Sequence, residues 1–301
     1  RLDLPAGPDM LERAPASRLF LREAQRLNIR LTPVDREHIV AICGLVNGLP
    51  LALLIAAGWL GTLSCAQIAH DLERDGGLLK EPTGRQSDRR EGIDAIMAFA
   101  WRGLPAHERR ALRHLAVFNG HFDRMAAEAI GVKLSSLLLL CEHALVERDE
   151  AGGYLLHPLV RQYGVEQLAR WPTEEAQVRA RHATYYANTF VRQAEQRLRT
   201  PEAQLGIDVD RANLFAAWEW AATHLDLGVL TRLQIGLARL HQTAGLHREW
   251  VEVLDGAVER IRGAHPTAAD PSLRVALGWL LTTKANALMC LGDLDSPRPL
   301  L

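Results

Sequence analysis

The chain has 301 residues, 48% hydrophobic and 24% charged, with a formal net charge of −1. That length suffices for two or three domains, and so even a charge balance excludes a global drive toward nucleic acid or an anionic membrane surface. Only Lys80, Lys133 and Lys284 among the 35 basic residues are lysine, a bias that reads as GC-rich coding rather than arginine chemistry. The four cysteines (Cys43, Cys65, Cys141, Cys290) lie far apart in apolar helical contexts without a CxxC pair. Their spacing predicts reduced, buried thiols in a cytoplasmic protein. The chain begins at Arg1, shows no signal peptide and ends in DSPRPLL just after a helical pattern, so it is expected to be a piece of a longer protein.

Nearly every element predicted in chain order is helical. Pro15 heads an apolar-periodic segment, with Leu19, Phe20, Ala24 and Leu27 on one face. Thr32-Pro33-Val34-Asp35 predicts a helix start with Thr32 as N-cap, and Asn47-Gly48 predicts its end. Pro50 then occupies the first turn of the next helix, which reaches about Leu60. The apolar run from Leu49 to Leu60 is too short for the ~20 residues of a membrane span and predicts a buried helix. A further helix, Cys65 to Arg74, completes a four-helix domain over residues 1–75.

Residues 76–91 lose periodicity and gain Gly, Pro and charge, which predicts a linker. Helices are expected again at 93–101, 105–118, 124–130 and 134–143. Strands at 144–148 and 154–156 flank Asp149-Glu-Ala-Gly-Gly153, a turn rich in residues that tolerate positive φ. Pro158 opens another helix. Helices, one β-hairpin and a closing helix give a winged-helix plan over residues 92–171. From residue 172 to 301 the chain is helical again, at 173–197, 208–225, 227–243, 247–262 and 272–291. Ala285, Leu288 and Gly292 echo Ala238, His241 and Gly245, 47 residues earlier, as in incomplete tetratricopeptide (TPR)-like repeats. Trp218, Trp220, Trp250 and Trp279 are expected mainly in the core, any exposed one lining a surface for an inducer or partner.

Several short stretches, in order, resemble signatures of the STAND class of signal-transduction NTPases, with NB-ARC and MalT-like regulators. They are Leu19-Phe20…Ala24; Ile42-Cys43 followed by Gly48-Leu49-Pro50-Leu51-Ala52-Leu53; Leu115-Ala116-Val117-Phe118; Leu156-His157-Pro158-Leu159-Val160-Arg161-Gln162-Tyr163; and Arg181-His182-Ala183-Thr184-Tyr185-Tyr186. The resemblance covers roughly residues 10–260. It implies a mainly α protein: a four-helix NB-ARC-like helical domain, a winged helix with one hairpin, then TPR-like repeats. It also implies an upstream P-loop NTPase domain as partner, and a bacterial transcriptional regulator as the whole.

In that family the proline of the GLPL element packs on adenine, and the winged-helix histidine approaches the β-phosphate of ADP. Carried over by position, the nucleotide-contacting residues are Pro50 and His157, with Gly48 and Leu49 beside the proline. Each has an ordinary alternative: Pro50 suits a first helical turn without any ligand, and His157 can simply cap the helix that follows. Pro158 departs from the Asp that often follows this histidine in nucleotide-regulated relatives, which bears on the strength of an ADP-held state.

No G-x-x-x-x-G-K-[ST] occurs, and no apolar strand ends in paired acids for magnesium. The segment should therefore not hydrolyse ATP alone, and ADP or ATP is expected only in the intact protein, where slow hydrolysis would reside. No catalytic or metal-binding residues are expected; His241 and His247 read as solvated helix-end residues and His182 as a packing residue, with Tyr185 and Tyr186 as core. The winged helix raises direct DNA binding, but the basic excess over residues 80–114 is only eight to five, interspersed with acids. The candidate third and fourth helices are apolar, so DNA is expected only through a separate output domain. A protein partner or small inducer is expected on the repeats, and no membrane. The alternative reading, from a different class, is a nucleotide-free helical-repeat scaffold for protein–protein interaction.

Overall fold

The computed structural model describes residues 1–77, 87–150, 152–197, 211–244, 247–264 and 271–293. Among them the chain is mainly helical, with fourteen α-helices and one two-stranded sheet. It divides into two compact units: Arg1–Ala116 with Val132–Arg170, and Val117–Gly131 with Trp171–Leu301.

The first unit opens with α1 (Pro15–Arg26), started by proline at its first position and burying Phe20 and Ala24, with Leu19 and Leu27 half-buried. In α2 (Asp35–Leu45) the predicted Thr32 cap is inverted. The Asp35 carboxylate reaches back and accepts from the Thr32 amide at 2.8 Å and the Thr32 hydroxyl at 2.7 Å. A carboxylate at a helix N-terminus gains from the dipole as well as from these donors, so the acid outcompetes the hydroxyl for the capping role.

Helix α3 (Pro50–Gly58) carries the most apolar sequence and is buried along most of its length, with Leu53 and Ile55 wholly enclosed. Each such side chain contributes on the order of 2 kcal/mol. A short 3-10 turn, Trp59–Gly61, follows. Helix α4 (Cys65–Gly77) packs on α2, and α5 (Ser87–Gly103) packs on α3 and α4. The helix therefore resumes at Ser87 rather than Ile93, because a charged first turn hides the periodicity of the helix behind it; the rest of the expected linker, 78–86, lies outside the described residues.

Helices α6 (Ala106–Leu115), α8 (Leu134–Glu142) and α9 (Pro158–Leu168) complete the unit with the hairpin of β1 (Glu147–Arg148) and β2 (Tyr154–Leu155). The strands pair antiparallel, Glu147 opposite Leu155 and Arg148 opposite Tyr154. They are shorter than predicted: Ala144 turns at φ 54°, and the amides of Leu145 and Val146 bond back to Leu140 O, extending the end of α8. Asp149 closes the turn by accepting from the Gly153 amide at 2.7 Å.

The second unit contains α7 (Arg124–Ala129), α10 (Pro172–Arg197), α11 (Arg211–His224), α12 (Leu227–Ala244), α13 (His247–Ala264) and α14 (Pro271–Cys290). Successive helices stack: α10 on α11 and α12, α11 on α13, and α13 on α14. Trp218 and Trp250 meet edge-on at 5.2 Å in the core, whereas Trp279 is 60% exposed on α14. Tyr186 is buried as expected, but Tyr185 is half-buried and donates its hydroxyl to Asp123 at 3.1 Å, because a phenol finds its partner more readily near the surface.

Two of the cysteines depart from expectation. Cys43 and Cys65 are buried, and desolvation pushes both thiols up to about 12. Cys141 is half-buried and Cys290 exposed, since each lies near the end of a helix whose last turn leaves the core. No described helix is long and apolar enough to cross a membrane.

Candidate functional site

The turn into α3 is built from two consecutive left-handed residues, Asn47 at φ 54° and Gly48 at φ 62°. Asparagine tolerates that region and glycine occupies it freely. At Gly48 space decides as well as dihedral angle: a Cβ would lie 2.4 Å from Leu2 O and 3.1 Å from a Leu4 methyl. The N-terminal segment crosses this glycine, its Leu2 amide donating to Gly48 O at 2.8 Å and Arg1 donating to the Asn47 side chain at 3.1 Å. Leu49 is buried beneath, only 7% exposed, while Pro50 is exposed at the first helical position. The turn thus offers solvent an apolar pyrrolidine ring on a rigid seat, at a helix start with no side-chain cap.

His157 stands at the N-cap of α9, where its Nδ1 accepts from the Leu159 amide at 3.2 Å. An acceptor nitrogen carries no proton, so the neutral ring holds its hydrogen on Nε2. Capping therefore consumes one nitrogen and leaves a donor on the other, half-buried beside a helix N-terminus. That combination suits an anion. Pro158 lies at the first position of α9, where its missing N–H costs nothing.

Gly48, Leu49 and Pro50 form one continuous turn. His157 lies on a different helix of the same unit, and no hydrogen bond among the described residues joins it to that turn. Helix α5 packs against both α3 and α9 and so supports both. Gly164 lets α9 lie close on α6: a Cβ there would meet the Ala116 methyl at 2.7 Å. Pro50 on buried Leu49 thus presents an apolar face, and the Nε2–H of His157 a hydrogen-bond donor at a helix start.

Two polar arrangements in the interior were not foreseen in the sequence. In the second unit Asn213 from α11 binds the chain around Asn119 and His121. In the first, the His143 ring lies on Trp59 and bonds to Gly58 O. Gly58 and Trp59 end the apolar run around Pro50, the one sequence signal near that second arrangement. Among the described residues no group of three His, Cys, Asp or Glu side chains could hold a metal ion. His247 is half-buried, and the side chain of His241 lies outside the described residues.

No family model matches the chain. Over 233 residues, 71% of its length, it is 30% identical to a "Putative HTH-type transcriptional regulator" of Mycobacterium tuberculosis, and equally to one of Mycobacterium bovis. It covers 26% of those proteins, and so spans about a quarter of the length of these relatives. An uncharacterized protein of Mycobacterium tuberculosis is 32% identical over 169 residues, 51% of this chain and 43% of that one. Among solved structures, a STAND protein with a tetratricopeptide repeat sensor from Pyrococcus horikoshii aligns with 95% of this chain and 40% of its own, at 15% identity and a TM-score of 0.43. The last likeness is too loose to carry an argument. The sequence relationship stands by itself: over most of its length the chain is similar to part of the mycobacterial proteins named "Putative HTH-type transcriptional regulator".

Proposed function

We propose that the chain is the regulatory and sensor portion of an ADP/ATP-dependent signalling switch in a bacterial, cytoplasmic transcriptional regulator. On this reading residues 1–75, with α1–α4, form an NB-ARC-like helical domain, residues 92–171, from α5 through the hairpin to α9, follow a winged-helix plan, and α10–α14 begin TPR-like sensor repeats. The observation that carries it is His157, whose capping bond through Nδ1 leaves Nε2–H as a donor at a helix start, within LHPLVRQY. Pro50, exposed above buried Leu49 and Gly48, supplies the matching apolar face.

In the whole protein, ADP held between an upstream P-loop domain and these residues keeps the switch closed. An inducer or protein partner on the repeats, together with ATP, shifts the population toward an open state. DNA is bound by a separate output domain, as the relatives' HTH description suggests. This chain itself is no enzyme, since it supplies neither a phosphate-binding Lys and Ser/Thr pair nor a magnesium-binding acid pair. In full-length protein, His157→Ala should speed ADP release while His157→Asn, which keeps a cap, speeds it too; an unchanged ADP off-rate in both variants refutes the nucleotide role.

One observation favours a second reading, a nucleotide-free scaffold binding proteins through its repeats. Val275, Trp279 and Met289 are exposed at 59%, 60% and 42% along one side of α14. If ADP binding to the full-length protein is absent altogether, the scaffold reading replaces the switch.

A further inference from the structure

Helix α7 is set apart from its neighbours in sequence. Helices α6 and α8 belong to the first unit, yet Val117–Gly131, which runs between them and contains α7, belongs to the second. The chain passes into and out of this segment without slack. Ala116 caps the end of α6 and is fixed by α9, since a Cβ on Gly164 would lie 2.7 Å from its methyl group. Val117 and Phe118 follow at once, and both are buried. At the other end buried Ile130 and buried Val132 are separated only by Gly131, at φ 90°. Two peptide units reach at most about 7 Å, so neither end of the segment has length to spare.

Within the second unit the segment is held by α10 and α11. The Phe118 ring lies 5.3 Å from that of His182 and 6.3 Å from that of Tyr186, both on α10. Asn213 on α11 accepts from the Asn119 amide at 2.7 Å and donates to His121 O at 2.8 Å. The Tyr185 hydroxyl on α10 donates to Asp123 at 3.1 Å, to the same oxygen that caps α7 by accepting from the Ala126 amide at 2.6 Å. With six residues α7 is far below the ~12–15 that sustain an isolated helix, so its place depends on these contacts. Gly120, at φ 126°, and Gly131 bracket it with two residues suited to absorb a change of dihedral angle.

We propose that Val117–Gly131 is the coupling element through which the helical stack of the second unit acts on the first. Docked, the segment is clamped by Asn213, Tyr185 and the aromatic cluster around Phe118. Undocked, it frees the end of α6 and the start of α8, to which it is tied by single peptide bonds. A ligand or partner that shifts α10 against α11 changes the clamp and thereby biases the first unit. Coupling of this kind is reciprocal, so a disturbance of Ala116 must also loosen the clamp. It uses neither Pro50 nor His157, and the nucleotide reading stands or falls separately.

The test is native-state amide exchange of the chain, read at single residues in both units. Tyr185→Phe keeps the ring and removes one half-buried hydrogen bond; Asn213→Leu removes the stronger clamp. Exchange at the Asn119 and Ala126 amides should quicken about fivefold in the first and tenfold or more in the second. The Ala116 and Leu137 amides, bonded to Leu112 O and Lys133 O in the first unit, should quicken with them. In the reverse direction Gly164→Ala, which presses on Ala116 from α9, should speed exchange at Asn119. Faster exchange that stays confined to the second unit in Tyr185→Phe and Asn213→Leu overturns the coupling. So does an Asn119 amide that remains slow in Gly164→Ala while Ala116 loosens. If neither Tyr185→Phe nor Asn213→Leu quickens Asn119 and Ala126, the clamp does not hold α7 and the coupling fails at its first step.

Discussion

The imidazole of His182 lies 3.3 Å from the side-chain oxygen of Asn213, and both residues are buried. The same oxygen accepts from the Asn119 amide at 2.7 Å, and the Asn213 side-chain nitrogen donates to His121 O at 2.8 Å. A backbone amide and a backbone carbonyl fix which end of Asn213 is oxygen. His182 must therefore donate through Nε2. One asparagine on α11 thus satisfies both a histidine on α10 and the chain that leads into α7, while Phe118 and Phe122 stack at 4.3 Å beside it.

Asn213→Leu removes all three bonds at nearly constant volume, those to the Asn119 amide, the His121 carbonyl and the buried His182 imidazole. Each broken bond costs about 1–3 kcal/mol, not additively, so a loss of roughly 3–5 kcal/mol is expected for the second unit. Urea titration gives the total, and amide exchange at Asn119 locates it. Exchange at Asn119 that stays as slow as in the unaltered protein would contradict the assigned bond.

The same histidine makes a pH prediction. Burial, helped by Arg179 and opposed by the Asn213 bond, lowers the His182 pKa from 6.5 to about 4. The unfolded chain takes up this proton below about 6.5 and the folded chain only below about 4, so between those values the unfolded state holds more protons. Stability should then be fully present above pH 6.5 and fall as the pH drops toward 4. The contribution is on the order of 3 kcal/mol. In His182→Gln this part of the pH slope should vanish; a slope identical to that of the unaltered protein would show that other groups cause it.

What could be read from the sequence was mostly local chemistry. Pro15, Pro50 and Pro158 each begin a helix because proline's fixed φ and missing N–H fit a first turn. Asn47-Gly48 ends α2 because these residues enter the left-handed region. The hairpin follows from Asp149 and Gly152-Gly153. Contacts distant in sequence were not legible in the same way. Asn213 looks like an ordinary polar residue of a surface helix, and its backbone partners lie over ninety positions earlier. The Trp59–His143 stack depends on Gly58 and Gly103 being cut back at two other helix ends. Of the candidate site, the identities of Gly48, Leu49, Pro50 and His157 came from motif order; the Leu2 segment packed across Gly48, and the Nδ1 bond that sets the His157 tautomer, required coordinates.

Two glycines four residues apart should respond oppositely to alanine. At Gly48 the backbone is left-handed, and a methyl would collide with Leu2 O. Gly48→Ala should cost about 1–3 kcal/mol through strain and displacement of the N-terminal segment. Gly44 lies within α2, and a methyl added there would have no neighbour within 4 Å, so Gly44→Ala should stabilise by about 0.5–1 kcal/mol through reduced unfolded-state entropy. Thermal melts of both variants check the pair. Equal effects would mean that the Leu2 segment does not rest on Gly48 in solution.

His157 serves α9 whether or not a nucleotide is ever present, and the two roles separate by substitution. His157→Ala loses the Nδ1 bond to the Leu159 amide and should destabilise the first unit by about 1 kcal/mol. His157→Asn restores an N-cap acceptor and should recover most of that loss. It offers no imidazole N–H, so it should not recover ADP retention in the full-length protein. Stability and ADP release measured across the three proteins therefore give different orders: the unaltered protein and Asn together above Ala for stability, and the unaltered protein alone for retention. If the Asn variant retains ADP as well as histidine does, the imidazole makes no contact with phosphate, and the role of this position reduces to a helix cap.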